Sequence, residues 1–126
     1  MNEMMSITEQ KLWYDGPNYT ADSIVIHPES RQVLLVKRKT GEWALPGGFI
    51  DPGEESLTAA HREVMEETGA AISGDPTLVF CGLVNDPRNT QTAWIETSAY
   101  LFTVPDITAI TGRDDVVDAG WHSLDH

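Results

Sequence analysis

Hydrophobic and polar positions change period along the chain. Residues 20–26 (TADSIVI) and 32–38 (QVLLVKR) are rich in strand-forming side chains, and His27-Pro28-Glu29-Ser30 between them carries turn residues, so two strands joined by a turn are predicted. A short extended piece from Glu42 to Leu45 leads into Pro46-Gly47-Gly48, and Pro52-Gly53 marks another turn. The period then becomes helical. Leu57, Ala60, Val64 and Met65 form an apolar stripe between Ser56, a good N-cap, and Gly69, a good helix stop. The apolar runs 77–84 (TLVFCGLV) and 93–104 (AWIETSAYLFTV) predict two more strands, and 116–122 (VVDAGWH) a last one. Strands on both sides of one helix predict a mixed α/β layer fold.

Composition narrows the class. The 126 residues contain no repeat, low-complexity stretch or obvious linker, so residues 1–126 are expected to form a single domain. No apolar run approaches the roughly 18 residues that span a bilayer. Met1 to Gln10 lacks the basic and apolar parts of a signal peptide. The lone cysteine, Cys81, lies in the apolar stretch Leu78–Val84 and is expected to be a small buried side chain. Together these predict a cytoplasmic protein with no membrane partner. The net charge of −12 disfavours nucleic acid as a partner, because such binding rests on Lys and Arg contacts with phosphate. It leaves room for a small phosphorylated ligand, provided a cation stands between carboxylates and phosphates.

The candidate chemistry lies in Gly48–Ala70, GFIDPGEESLTAAHREVMEETGA. Glu63, Glu66 and Glu67 stand at i, i+3 and i+4, which places them on one helix face. Three carboxylates there repel one another unless a cation joins them, and oxygen-only ligands suit Mg²⁺ or Mn²⁺. Arg62, four residues before Glu66, can hold a carboxylate by a forked hydrogen bond. Spacing alone also describes an ordinary solvated acidic face. The preceding segment shifts that balance: Gly47-Gly48 allows close backbone approach, and Glu54 falls near the first turn of the helix. Glu54 either pairs with Arg62 or acts as a further ligand.

This segment resembles the Nudix box, G-x5-E-x7-R-E-U-x-E-E-x-G-U, where U is a bulky aliphatic residue. Gly48, Glu54, Arg62, Glu63, Val64, Glu66, Glu67 and Gly69 all match, and Ala70 at the final U is the one departure. The resemblance implies an α/β Nudix fold, a mixed sheet sandwiched between helices with the box as loop–helix–loop. It also implies metal-assisted hydrolysis of a nucleoside diphosphate linked to another group, a small-molecule nucleotide. In that reading Glu63, Glu66 and Glu67, with Gly48, hold the metal, and Arg62 orients the carboxylates. Glu63 is the first candidate for proton acceptor and Glu96, on a later strand, the second; Glu96 also reads as an outward strand residue.

A narrower resemblance covers most of residues 16–121. Gly16-Pro17-Asn18 with Ala21-Asp22, Gly41–Gly48, Asp51–Glu54, Asp86-Pro87-Arg88-Asn89-Thr90, Ala93–Thr97 and Gly112-Arg113-Asp114-Asp115 are similar to one ADP-ribose pyrophosphatase group. There the Asp and Arg of the DPRNT-like loop contact ADP-ribose, which implies substrate-binding roles for Asp86 and Arg88; Glu54 is a further substrate-binding candidate. Trp43 and Trp94 read as core residues that could alternatively stack on adenine or ribose. The group's C-terminal helix has no counterpart before His126, so a longer chain or a homodimer is expected to cover an apolar patch around Trp121. Hydrolysis of ADP-ribose leads the functional readings. A nucleotide-pool cleaner acting on altered triphosphates, an ADP-ribose sensor without hydrolysis and an acidic interaction domain follow it.

Overall fold

The computed structural model describes residues 12, 14–72, 76–107, 112 and 116–125. Seven strands and one helix lie among them: β1 (Gly16–His27), β2 (Gln32–Arg38), β3 (Trp43–Ala44), β4 (Gly47–Phe49), α1 (Ser56–Thr68), β5 (Thr77–Leu83), β6 (Ala93–Thr103) and β7 (Val116–Ser123). The strands form one mixed sheet with the path β3-β2-β1-β6-β5, to which β4 adds through β1 and β7 through β2. The β1–β6 pairing is parallel and runs from Gly16↔Ala93 to Ile26↔Thr103; the other pairings are antiparallel. The mixed α/β layer fold read from the chain is therefore present, with α1 packed on one face of the sheet. The motif residues Arg113, Asp114 and Asp115 lie outside the described residues.

Pairing fixes which side chains face α1. Ser23 and Tyr100 are register partners. The Ser23 hydroxyl donates to the Ala60 carbonyl at 3.2 Å, and the Ser56 and Tyr100 hydroxyls share a hydrogen bond. Because side chains alternate with period two, Tyr19, Ala21 and Val25 of β1 and Glu96, Ser98 and Phe102 of β6 share that face. The core forms where Ala21, Val25, Leu34 and Phe102 meet Ala59, Ala60 and Val64 of α1. Small residues at 59 and 60 let the helix approach the sheet closely, so the carboxylates one turn later are drawn down with it.

Three local expectations need correction. Glu55, in extended backbone, occupies the N-cap without a side-chain cap bond, because the Ser56 hydroxyl is engaged by Tyr100 of the sheet. Gly69 does end the helix as read, in left-handed conformation with its N–H on the Met65 carbonyl at 2.9 Å. Met65 points outward, and the buried stripe instead takes in Glu63 and Glu67. Cys81 is exposed, as are Leu78, Val79, Phe80 and Leu83 around it: β5 stands at the end of the strand path, so its apolar run does not mean burial. Trp121 itself is half-buried and packs against the core cluster, while Val117 and Leu124 near it are exposed, so exposed apolar side chains lie on β5 and on β7 alike.

Candidate active site

Arg62 is the organising cation. Its Nε donates to Glu54 Oε2 at 2.8 Å and its Nη2 to Glu54 Oε1 at 3.0 Å. Nη1 reaches Glu63 Oε1 at 2.7 Å and Glu66 Oε1 at 2.9 Å, while Nη2 also donates to the Phe49 carbonyl at 3.1 Å. One guanidinium thus ties the loop that enters α1 to two of its carboxylates. The hydrogen bonds from Arg62 hold the Glu54 carboxyl below the usual carboxylate range, despite partial desolvation. The surrounding acids in turn raise the Arg62 pKa.

Glu67, the third carboxylate, is held separately. It is 2% exposed and accepts the Gly47 N–H at 3.0 Å and Arg38 Nη1 at 3.0 Å. Arg38 closes the end of β2 and also donates to the Leu45 carbonyl at 3.3 Å, which pins the Pro46-Gly47-Gly48 turn. Gly47 is sterically required, since a Cβ there would lie 2.6 Å from the Ala21 carbonyl oxygen and would overlap the Asp22 carboxylate, and a side chain at Gly48 would displace Glu63. Asp22 accepts the Thr97 hydroxyl at 2.7 Å, and burial pushes its carboxyl pKa up against the lowering effects of Thr97 and Arg38.

Glu63 carries the electrostatic load. Burial first, then the neighbouring charge of Glu67, push its pKa up to about 7, against the lowering effect of Arg62. Such a group gains most from a cation placed beside it. Among the described residues, no three His, Cys, Asp or Glu side chains already close around one point as a cation cage. Glu63 and Glu66 turn toward Arg62, and Glu67 toward Gly47 and Arg38. The donor set is nonetheless all carboxylate oxygen on one helix face, the chemistry that Mg²⁺ and Mn²⁺ take.

The DPRNT-like loop comes to the same region. Arg88 donates from its backbone N–H and from Nε to Asp86 Oδ1, at 2.8 and 3.0 Å, and from Nη2 to Oδ2 at 3.2 Å. Burial raises the Asp86 pKa, but the Arg88 contacts together outweigh it and leave the carboxyl below its ordinary value. Asn89 braces the loop, accepting the Ile95 N–H at 2.9 Å and donating to the Val84 carbonyl at 2.7 Å. The Arg88 guanidinium lies 5.3 Å over the Phe49 ring. Phe49 therefore joins the two halves of the site, its carbonyl on Arg62 and its ring beneath Arg88.

Beside Glu54 opens a cleft of about 470 Å³, lined in part by Tyr14, Tyr19, Phe49, Ile50 and Pro52. The structure thus brings together Gly48, Glu54, Arg62, Glu63, Glu66 and Glu67, and sets Asp86 and Arg88 against them through Phe49. Glu96 stands on the α1-facing side of β6 next to Tyr19, where its carboxylate accepts the Trp94 indole N–H at 2.9 Å. It faces the helix side of the sheet and is half-buried. Neither Trp43 nor Trp94 lines the cleft. Trp43 lies on the surface rather than in the core, its ring 4.3 Å from that of His122. Arg38, Phe49, Tyr14 and Tyr19 were not singled out from the sequence. The one available signal was the scarcity of basic residues, eight in all, which makes an arginine ending a strand unusual here.

Residues 17–126 match the family described as NUDIX domain. The chain belongs to the Nudix family. It is similar to the rat protein named ADP-ribose pyrophosphatase, mitochondrial, with 35% identity over 119 residues, covering 67% of this chain and 34% of the relative. Among solved structures, it is similar to a bifunctional NMN adenylyltransferase/ADP ribose pyrophosphatase from Francisella tularensis complexed with AMP and a Mn ion. That likeness has a TM-score of 0.72 and 26% identity, and covers 90% of this chain and 36% of that one. It is also similar to the Nudix domain of Shewanella oneidensis NrtR complexed with ADP ribose, with a TM-score of 0.73 and 25% identity over 88% of this chain and 75% of that one. The Nudix chain spans about a third of the length of curated relatives such as the rat protein. Among the described residues, no helix is long and apolar enough to cross a membrane.

Proposed function

We propose that this Nudix chain hydrolyses the diphosphate bond of a nucleoside diphosphate joined to a second group, with ADP-ribose as substrate and AMP and ribose 5-phosphate as products. The observation that carries this reading is the carboxylate face of α1, with Glu54, Glu63 and Glu66 gathered on Arg62. Held by Glu63, Glu66, Glu67 and the Gly48 carbonyl, Mg²⁺ or Mn²⁺ would neutralise the diphosphate charge and activate water.

The residues of the chain supply the rest. Arg62 gathers Glu54, Glu63 and Glu66 on one side of α1 before substrate arrives. Water attacks one phosphorus, a new P–O bond forms, and the bridging P–O bond breaks with its electrons leaving on the other phosphate. The Glu63 carboxylate takes the proton from the attacking water. Glu96, whose carboxylate accepts the Trp94 indole N–H, is the second candidate for this role. Arg88, held by Asp86 and resting on Phe49, donates to oxygens of the substrate's diphosphate or ribose.

A second reading is binding of ADP-ribose without cleavage, favoured by the likeness to the NrtR Nudix domain. Complete box glutamates favour hydrolysis over it. The deciding experiment incubates the protein with Mg²⁺ and a panel of ADP-ribose, NADH, a sugar nucleotide, a diadenosine polyphosphate and 8-oxo-dGTP, and identifies the products. AMP and ribose 5-phosphate formed fastest from ADP-ribose support the proposal. Tight binding with no product supports the second reading, and preference for 8-oxo-dGTP would move the substrate to the triphosphates.

A further inference from the structure

We propose that the cleft beside Glu54 is the nucleobase subsite, with the base held flat against the rings of Tyr14 and Tyr19. The inference rests on the reading of a nucleotide substrate at the carboxylate face and names where the rest of that substrate goes. Its first support is exposure within a concavity. Tyr14 and Tyr19 are 59% and 56% exposed, yet both line one cleft with Phe49, in a chain that is only 8% aromatic. Aromatic surface kept open in a cleft marks a ligand site, because burying it in the core would otherwise be favourable.

The second support is that the wall is built. Asn18, 3% exposed, accepts the Tyr14 N–H at 3.1 Å and donates to the Tyr14 carbonyl at 2.8 Å, and it reaches the Trp94 carbonyl of β6 at 3.4 Å. Gly16 adopts φ +77° inside this turn, where an L side chain would be strained. The clamp fixes the backbone of Tyr14, and the β1–β6 pairing fixes that of Tyr19, relative to the sheet.

The third support is charge. Among the described residues, the charged side chains lining the cleft are Asp51 and Glu54, and none is a Lys or Arg. These walls offer a phosphate no cation of their own, whereas an uncharged planar ring needs none. Glu54 is also the residue that Arg62 grips. The apolar cleft therefore continues directly into the anion-handling face, as a nucleotide with a neutral base and a charged diphosphate requires.

The test is equilibrium binding of AMP and of ribose 5-phosphate, both with Mg²⁺, to wild type and to Tyr14→Ala, Tyr19→Ala, Tyr14→Phe and Tyr19→Phe. Each alanine variant is expected to weaken AMP roughly 5- to 100-fold, the range for losing one aromatic that stacks on a base. The phenylalanine variants should stay within about two-fold of wild type, because the ring remains. Ribose 5-phosphate binding should be no weaker in any variant. Unchanged AMP affinity in both alanine variants overturns the subsite, as does an equal loss for both ligands or no AMP binding by wild type. If an alanine variant fails to fold, Tyr→Leu, which keeps apolar bulk without a ring, gives the same comparison. A chain that binds AMP through the tyrosines but cuts nothing contradicts the proposed hydrolysis and leaves the subsite standing. Hydrolysis with tyrosine-independent AMP binding does the reverse.

Discussion

Arg62 grips Glu54 with both arms of its fork, at 2.8 and 3.0 Å, across eight residues that include the start of α1. Both side chains are mostly shielded from solvent, 25% and 12% exposed, so the pair is worth more than an open surface ion pair. Lysine offers a point charge and cannot reproduce the fork while also reaching Glu63 and Glu66. Arg62→Lys should therefore lower kcat by more than about ten-fold and stability by about 1–3 kcal/mol. Steady-state kinetics and urea unfolding check both, and wild-type kcat in the lysine variant would deny Arg62 its organising role.

Glu63 predicts an inverted pH dependence for the cation-free protein. Its carboxyl is pushed from an ordinary value of 4.5 up to about 7 in the fold, first by burial and then by Glu67. Between those pH values the native state holds a proton that the unfolded chain has released. Its contribution is fully present below about 4.5 and is lost as pH rises through about 7. Urea midpoints measured in chelator should fall from pH 5 to pH 8, and Glu63→Gln should flatten that fall. Asp22, also raised by burial, works in the same direction. A midpoint that rises steadily over this range in the wild type and equally in Glu63→Gln would contradict the assignment.

Arg38 stabilises a charge that the core would otherwise reject. Glu67 has a side chain 3% exposed, and its charged partner is Arg38 at 3.0 Å. Arg38→Ala removes that ion pair from the buried carboxylate. A loss of about 2 kcal/mol is expected, measured by thermal or urea unfolding. Added Mg²⁺ should recover part of it, which a purely steric effect of the truncation would not show.

How far the sequence could be read divides along a physical line. The carboxylate face, Arg62 and the glycines were legible because helical spacing is local: i, i+3 and i+4 share a face in any helix. So was the β1–β2 pair, whose turn chemistry lies between two short runs. Arg38 on Glu67 was not legible, since 29 residues separate them and only the sheet brings them together. The exposure of Cys81 and β5 was misread because an apolar run has the same appearance in a buried strand and in one at the end of a sheet. Trp43 and Trp94 drew attention by size. Tyr14 and Tyr19 did not, although the buried Asn18 turn, formed by residues four apart, is what presents Tyr14 to the cleft.

Arg88 supports a prediction about substrate rather than fold. Its contacts are to Asp86, two residues away, and to the Phe49 ring, so its removal leaves the sheet and α1 untouched. Arg88→Ala should reduce kcat/KM for ADP-ribose about 10- to 150-fold, mostly through KM, with a small change in melting temperature. An unchanged kcat/KM would reduce Arg88 to a residue that stabilises its own turn.

The measurement that bears most directly on the whole account is product formation from ADP-ribose with and without a divalent cation, in wild type and in Glu66→Gln. Glu66 is the most exposed of the three box carboxylates by its side chain, 43% against 11% for Glu63 and 3% for Glu67, so its amide variant should fold normally. With Mg²⁺ or Mn²⁺ the wild type should release AMP and ribose 5-phosphate. Excess chelator should abolish that turnover, and Glu66→Gln should lower kcat by orders of magnitude at unchanged thermal stability. Full turnover in chelator, or a Glu66→Gln variant as active as wild type, would contradict a cation-dependent hydrolase working at this face of α1.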